Sequence, residues 1–147
     1  MKKKDWLPSL VFHFDRNGCD RLLKELTEYV IENNVSLYNS KEEETMASSD
    51  IAKIQNIDVI DEFLVKALKK GIAVHHAACQ EEYLQEVEML FRTKKLRIIF
   101  ATGTLALGVH LPCRTVVMAG YSIYLTTNNF LQCTGRAGRR GFDTSGR

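Results

Sequence analysis

Apolar positions in this chain follow two regimes, short continuous runs and helical spacings, and the two alternate. Ser9-Leu10-Val11-Phe12-His13-Phe14 is a short β-rich run. After it, Leu22, Leu23, Leu26, Tyr29 and Val30 recur at helical spacing as far as Asn33-Asn34, with Asn17 and Asp20 as cap candidates. The stretch Asn39 to Asp50 is polar and without period, so a surface loop or insertion is expected at 39–50. From Ile51 to Lys70 a second helical region carries Phe63, Leu64, Ala67 and Leu68, and Gly71 stops it.

Ile72-Ala73-Val74 reads as a short strand. Glu81 to Arg92 is acidic at its start and basic at its end, with Leu84, Val87, Leu90 and Phe91 on one side, which predicts a helix. Ile98-Ile99-Phe100-Ala101 and Thr115-Val116-Val117-Met118-Ala119 are apolar without alternation. Such strands are usually buried on both faces of a parallel sheet. The order βα(α)βαβ, a turn, then βα predicts an α/β fold, an open parallel sheet flanked by helices.

Composition changes this picture little. The 147 residues suit one domain with room for a core, and 20 basic against 18 acidic residues leave a net charge of only +2. The charge is unevenly placed. Glu42-Glu43-Glu44 and Glu81-Glu82 are acidic clusters, whereas Arg136, Arg139, Arg140 and Arg147 crowd the C-terminus. That distribution favours a local anionic ligand over general polyanion binding. Cysteines 19, 79, 113 and 133 form no C-x-x-C pair, which suits reduced intracellular thiols and a cytoplasmic, or else nuclear, setting. His75-His76-Ala77-Ala78-Cys79 has no second ligand pair of matching spacing, so no metal site is expected. No apolar run approaches a membrane span and no signal peptide opens the chain, so no membrane partner is expected.

The chemistry concentrates where an open α/β sheet places ligands, beyond the carboxyl ends of its strands. His75-His76-Ala77, Thr102-Gly103-Thr104 and Gly120-Tyr121 each follow a predicted strand. Next comes Gln132-Cys133-Thr134-Gly135-Arg136-Ala137-Gly138-Arg139-Arg140-Gly141. As a helix it would put Gln132, Arg136 and Arg139 on one face, at i, i+4 and i+7. Each glycine costs a helix interior about 1 kcal/mol relative to alanine. A basic helix end that merely complements the macrodipole needs neither the glycines nor the glutamine. Two guanidinium groups aimed at phosphate oxygens, with another backbone close by, account for both.

A nucleotide cradle is missing. Gly103 and Gly108 have the glycine spacing of a phosphate loop, but Val109 and His110 stand in the Lys and Ser/Thr positions. No acidic D-E-x-H run is present to hold magnesium. Arginines suited to a γ-phosphate, without the loop that binds the nucleotide, point to an arginine finger supplied to a site on another domain.

These segments together resemble the second RecA-like lobe of a superfamily 2 nucleic-acid helicase, in the Ski-type branch of DExH-box RNA helicases. Leu10 to Phe14 with Asp15-Arg16 resembles motif IV, and Gly71 to Ala77 resembles the G-[IV]-x-[VI]-H-H-[AS] stretch of that branch. Ala101 to Pro112 resembles motif V and Gln132 to Gly141 motif VI. The phrase running through Tyr124-Leu125-Thr126 is similar to the interferon-inducible antiviral DExD/H-box helicases. The sequence departs from the branch at Ala78, usually Gly, at His110, usually Asn, and at Gly103, where many members carry an acidic or polar residue.

The resemblance implies that residues 1–147 form a RecA-like P-loop NTPase lobe without its own phosphate loop, and that the family would continue beyond Gly146-Arg147. It implies ATP, with magnesium held by a separate first lobe of the same parent chain, and Arg136 and Arg139 closing on the γ-phosphate. Gln132 and the Gly108 backbone would align the nucleotide. Thr102, Gly103 and Thr104, with the His76-Ala77 turn, would hold backbone phosphates of one RNA strand. His75 and His76 are equally readable as buried supports. DNA stays open as the partner, since no residue identifies a reader of the 2′-hydroxyl. A remodelling translocase and a nucleic-acid-binding scaffold without turnover also remain open.

Overall fold

The computed structural model describes residues 7–13, 15–54, 60–103 and 113–119. Their elements run β1 (Ser9–Phe12), α1 (Arg16–Glu32), α2 (Lys41–Ala52), α3 (Glu62–Lys69), β2 (Ile72–His75), α4 (Glu81–Arg92), β3 (Ile98–Ala101) and β4 (Thr115–Met118). The four strands pair in parallel in the order β2-β3-β1-β4. This is the open parallel sheet flanked by helices that the apolar runs predict.

Every residue of β1, β2 and β3 is buried, as continuous apolar strands require when both faces are covered. The chain passes from β1 over β3 to β2, then returns to β3, so right-handed crossovers put α1 and α4 on opposite faces. Leu23 and Val30 of α1 and Val87, Leu90 and Phe91 of α4 close the two sides of one core. Tyr83 of α4 reaches the outer edge of β2, where its hydroxyl accepts the Val74 amide at 3.1 Å. That bond satisfies a backbone donor which no neighbouring strand meets among the described residues.

Two local expectations are corrected. The stretch 39–50 is not an irregular loop: Lys41–Ala52 is helical. Ser40 caps it, its hydroxyl accepting from the Glu43 amide at 3.2 Å, while the Glu43 carboxylate accepts from the Asn39 amide at 3.0 Å. This is a variant of the capping box, and the signature was present as Ser40-x-x-Glu43. Glu42, Glu43 and Glu44 occupy the first turn, where the helix dipole favours them. Periodicity failed because only Ala47 and Ile51 of α2 are buried. Second, α1 is capped by Asp15, which accepts from the Asn17 amide at 3.1 Å, and not by Asn17 or Asp20.

The stop after α3 is as expected. Gly71 takes φ +83°, and its amide bonds the Leu68 carbonyl at 2.9 Å. Among the described residues no helix is long and apolar enough to cross a membrane.

Candidate functional site

Because all four strands are parallel, their carboxyl ends share one edge of the sheet, and backbone bonds stitch that edge together. The His13 amide donates to the Ala101 carbonyl at 3.0 Å, the Thr102 amide to the His75 carbonyl at 3.2 Å, and the Ala119 amide to the Phe12 carbonyl at 2.8 Å. Thr102 and Gly103, half-buried, therefore lie beside the His75-His76 pair. The sequence predicted this meeting of two segments. Thr104, Gly108, Gln132, Arg136 and Arg139 lie outside the described residues.

Successive residues at a strand end point to opposite faces. His75 accordingly reaches α4, its Nε2 lying 3.0 Å from Glu88 Oε1, and His76 reaches α1, its Nε2 lying 2.8 Å from Asp20 Oδ1. Both rings are buried, at 7% and 5% exposure, so the histidine side chains are hydrogen-bonded supports. His76 Nδ1 accepts from the Ala78 amide at 3.2 Å, which puts the ring proton on Nε2, donated to Asp20. The Cys79 amide closes the turn onto the His76 carbonyl at 3.1 Å. Ala77 and Ala78 at its tip are exposed. What His76 can offer a ligand is thus the placement of this turn rather than its ring.

The end of β1 is built in the same way. The Asp15 amide donates to His13 Nδ1 at 3.1 Å, and the ring lies flat against Gly18, where an added Cβ would stand 2.2 Å from His13 Cε1. Only glycine lets α1 start this close to the strand end.

Asp20 and Glu88 are the polar partners that sequence reasoning missed. Asp20 was legible only as a cap candidate, and nothing local marks Glu88, since each partner histidine belongs to another element. Beside Asp20 opens a cleft of about 770 Å³ where α1, α3 and the start of α4 meet, lined by Leu23, Phe63, Leu64, Val74 and Tyr83 with Asp20 and His76. Cys79 also faces it, and burial pushes its thiol up, as burial pushes that of Cys19 to about 12. Neither thiol is a ready nucleophile. Among the described residues no three His, Cys, Asp or Glu side chains gather as a metal-binding group. Among the described residues the edge offers backbone amides, a threonine and helix-braced turns, groups of the kind that can bind a phosphate.

Comparison with known proteins fits this geometry. Residues 22–141 match the model of the helicase conserved C-terminal domain. Over 99% of its length the chain is 34% identical to the chloroplastic DExH-box ATP-dependent RNA helicase DExH15 of Arabidopsis thaliana, covering 13% of that protein. Over 99% it is 31% identical to the antiviral helicase SKI2 of Saccharomyces cerevisiae, covering 12% of it. Over 56% it is 47% identical to the probable ATP-dependent RNA helicase DDX60-like of Homo sapiens, covering 5% of it. The chain therefore spans only 5–13% of the length of these relatives.

Proposed function

The chain belongs to the helicase conserved C-terminal domain family, and on that premise we propose that it is the second lobe of an ATP-dependent RNA helicase, completing a nucleotide site on a separate first lobe. The observation that carries this is the Thr102 amide bond to the His75 carbonyl. It sets the start of one motif beside the turn of another on a single ligand-facing edge.

ATP, bound to the first lobe with its magnesium, supplies the phosphoanhydride whose hydrolysis drives the cycle. The guanidinium groups of Arg136 and Arg139 suit a γ-phosphate by their charge and their planar fork of donors. Gln132 and the Gly108 backbone align the nucleotide. Thr102, Gly103 and Thr104, with the Ala77 turn that His76 holds, grip backbone phosphates of one strand. Opening and closing between the lobes then couples hydrolysis to stepping. RNA is favoured over DNA because the relatives are named as RNA helicases. A cytoplasmic setting is part of the same proposal.

The test is steady-state ATPase of the two-lobe protein with single-stranded RNA or DNA. Arg136→Ala and Arg139→Ala should cut turnover far more than nucleotide affinity, since these groups act on charge developing in the transition state. Comparable arginine fingers are worth on the order of 10³–10⁵ in rate. Arg140→Ala, off the stripe that Gln132, Arg136 and Arg139 would share if the segment is helical, should cost much less. Thr102→Val should weaken RNA stimulation while sparing nucleotide binding. Equal losses at Arg140 and Arg136, or robust hydrolysis by the isolated lobe, would refute the scheme, and equal stimulation by DNA would refute the choice of RNA.

A further inference from the structure

Two carboxylates converge on the end of β2 from opposite faces of the sheet. Asp20 sits early in α1 and Glu88 in the middle of α4, and each holds one of two adjacent histidines through Nε2. Each histidine in turn holds a part of the edge. The His75 carbonyl accepts the Thr102 amide, and the His76 ring and carbonyl accept the Ala78 and Cys79 amides. Among the described residues His75 Nδ1 has no partner, so the Glu88 bond is that ring's side-chain anchor. The core would be covered without these bonds, because Val87, Leu90 and Phe91 of α4 and Leu23 of α1 already pack against the sheet. What the carboxylates add is a fixed direction for two rings at a strand end.

We infer that Asp20 and Glu88 are positioning residues for the nucleic-acid grip, acting through His76 and His75 to set the Ala77 turn and Thr102. This rests on the role proposed above for that turn and threonine. Asp20 governs the turn and Glu88 governs the β2–β3 stitch, so the two contribute separately. Their removal loosens the geometry of phosphate binding without touching the residues assigned to the nucleotide.

The experiment uses the two-lobe protein with single-stranded RNA of mixed sequence. It measures the RNA concentration for half-maximal ATPase stimulation, the KM for ATP, and the melting midpoint. Asp20→Ala and Glu88→Ala should each raise the RNA half-saturation on the order of tenfold, and the KM for ATP should move by less than about twofold. Asp20→Asn and Glu88→Gln keep an acceptor oxygen but lose the charge assistance, so a smaller rise, roughly threefold, is expected. That graded recovery marks positioning. Should an alanine variant fail to fold, the amide variant decides: a shift supports the inference and none overturns it. Parallel loss of RNA response, ATP binding and melting midpoint, with no recovery in the amide variants, would reduce both carboxylates to structural staples and overturn it. Thr102→Val separates the two levels. If it weakens RNA stimulation while the carboxylate variants do not, this inference alone falls. If Thr102→Val also has no effect, the grip itself is wrong.

Discussion

Ile51→Ala decides whether α2 is a docked helix or a decoration that the protein can do without. Ile51 is fully buried, at 0% exposure, one helical turn beyond Ala47 at 2%. Truncating a buried isoleucine costs about 2–5 kcal/mol, from lost transfer free energy and the cavity left behind. The surroundings decide where in that range the value falls. The helix is tied beside Ile51, where Asp50 pairs with Lys95, and Tyr38, three residues before the helix begins, donates its hydroxyl to the Lys95 carbonyl at 2.7 Å. A helix pinned there cannot slide in to fill the space, so the upper part of the range is expected, about 3–5 kcal/mol. In a domain of this size each kcal/mol lowers the midpoint by about 2–4 °C. Urea and thermal unfolding measure the loss, and Met46→Ala, at 65% exposure on the same helix, is the control. The control should stay within about 0.5 kcal/mol. An equally small effect of Ile51→Ala, or amide exchange across 41–52 as fast as in unfolded chain, would mean that α2 does not pack.

Three further perturbations probe single bonds. Tyr83→Phe removes the hydroxyl that accepts the buried Val74 amide, so a loss of about 1–3 kcal/mol is expected in urea unfolding; a change under about 0.5 kcal/mol would show that the edge amide finds another partner. Thr27 is fully buried in α1 and among the described residues its hydroxyl has no hydrogen-bond partner, so Thr27→Val should stabilise by up to about 1 kcal/mol, and destabilisation would reveal a partner for it. The hydrogen bond from Lys95 holds the Asp50 carboxyl below the usual carboxylate range. Its contribution is therefore complete above the ordinary carboxylate pKa and fades as pH falls through the lowered value. The gap in melting midpoint between wild type and Asp50→Asn should close on acidification from neutral pH, and a gap that widened would reverse the sign.

The parts of this fold that were legible in sequence are those in which one physical demand acts alone. Ile98–Ala101 is covered on both faces, so nothing polar interrupts it, and α4 shows both an apolar side and charges matched to its dipole. In α2 the demands are split. Two buried side chains give no stripe, and the deciding signal was the cap, Ser40 with Glu43, rather than the period. The His–carboxylate pairs could not be read at all. Asp20 and His76 lie 56 positions apart, and neither is unusual in its own element. Their pairing follows from α1 crossing the sheet beside β2, a tertiary fact that no local pattern encodes. The sequence did bring Thr102 and His76 to one edge, because a parallel sheet collects whatever follows its strands.

That collecting effect bears on what kind of ligand the edge is built for. The two histidine rings, readable from sequence either as ligand contacts or as buried supports, are buried, each bonded to a carboxylate. Among the described residues, the edge turns outward the Ala77-Ala78 turn and half-exposed Thr102 and Gly103, groups too short to reach into a nucleic-acid groove and read base edges. Under the proposed function, contacts from such groups go to phosphate oxygens, which are the same at every nucleotide. A lobe that steps along a strand needs that indifference, since a preferred base would become a trap at each occurrence. The buried histidine clamps then have a clear purpose within the proposal: they spend polar side chains on rigidity, so that sequence-tolerant contacts made by small groups can still be aimed.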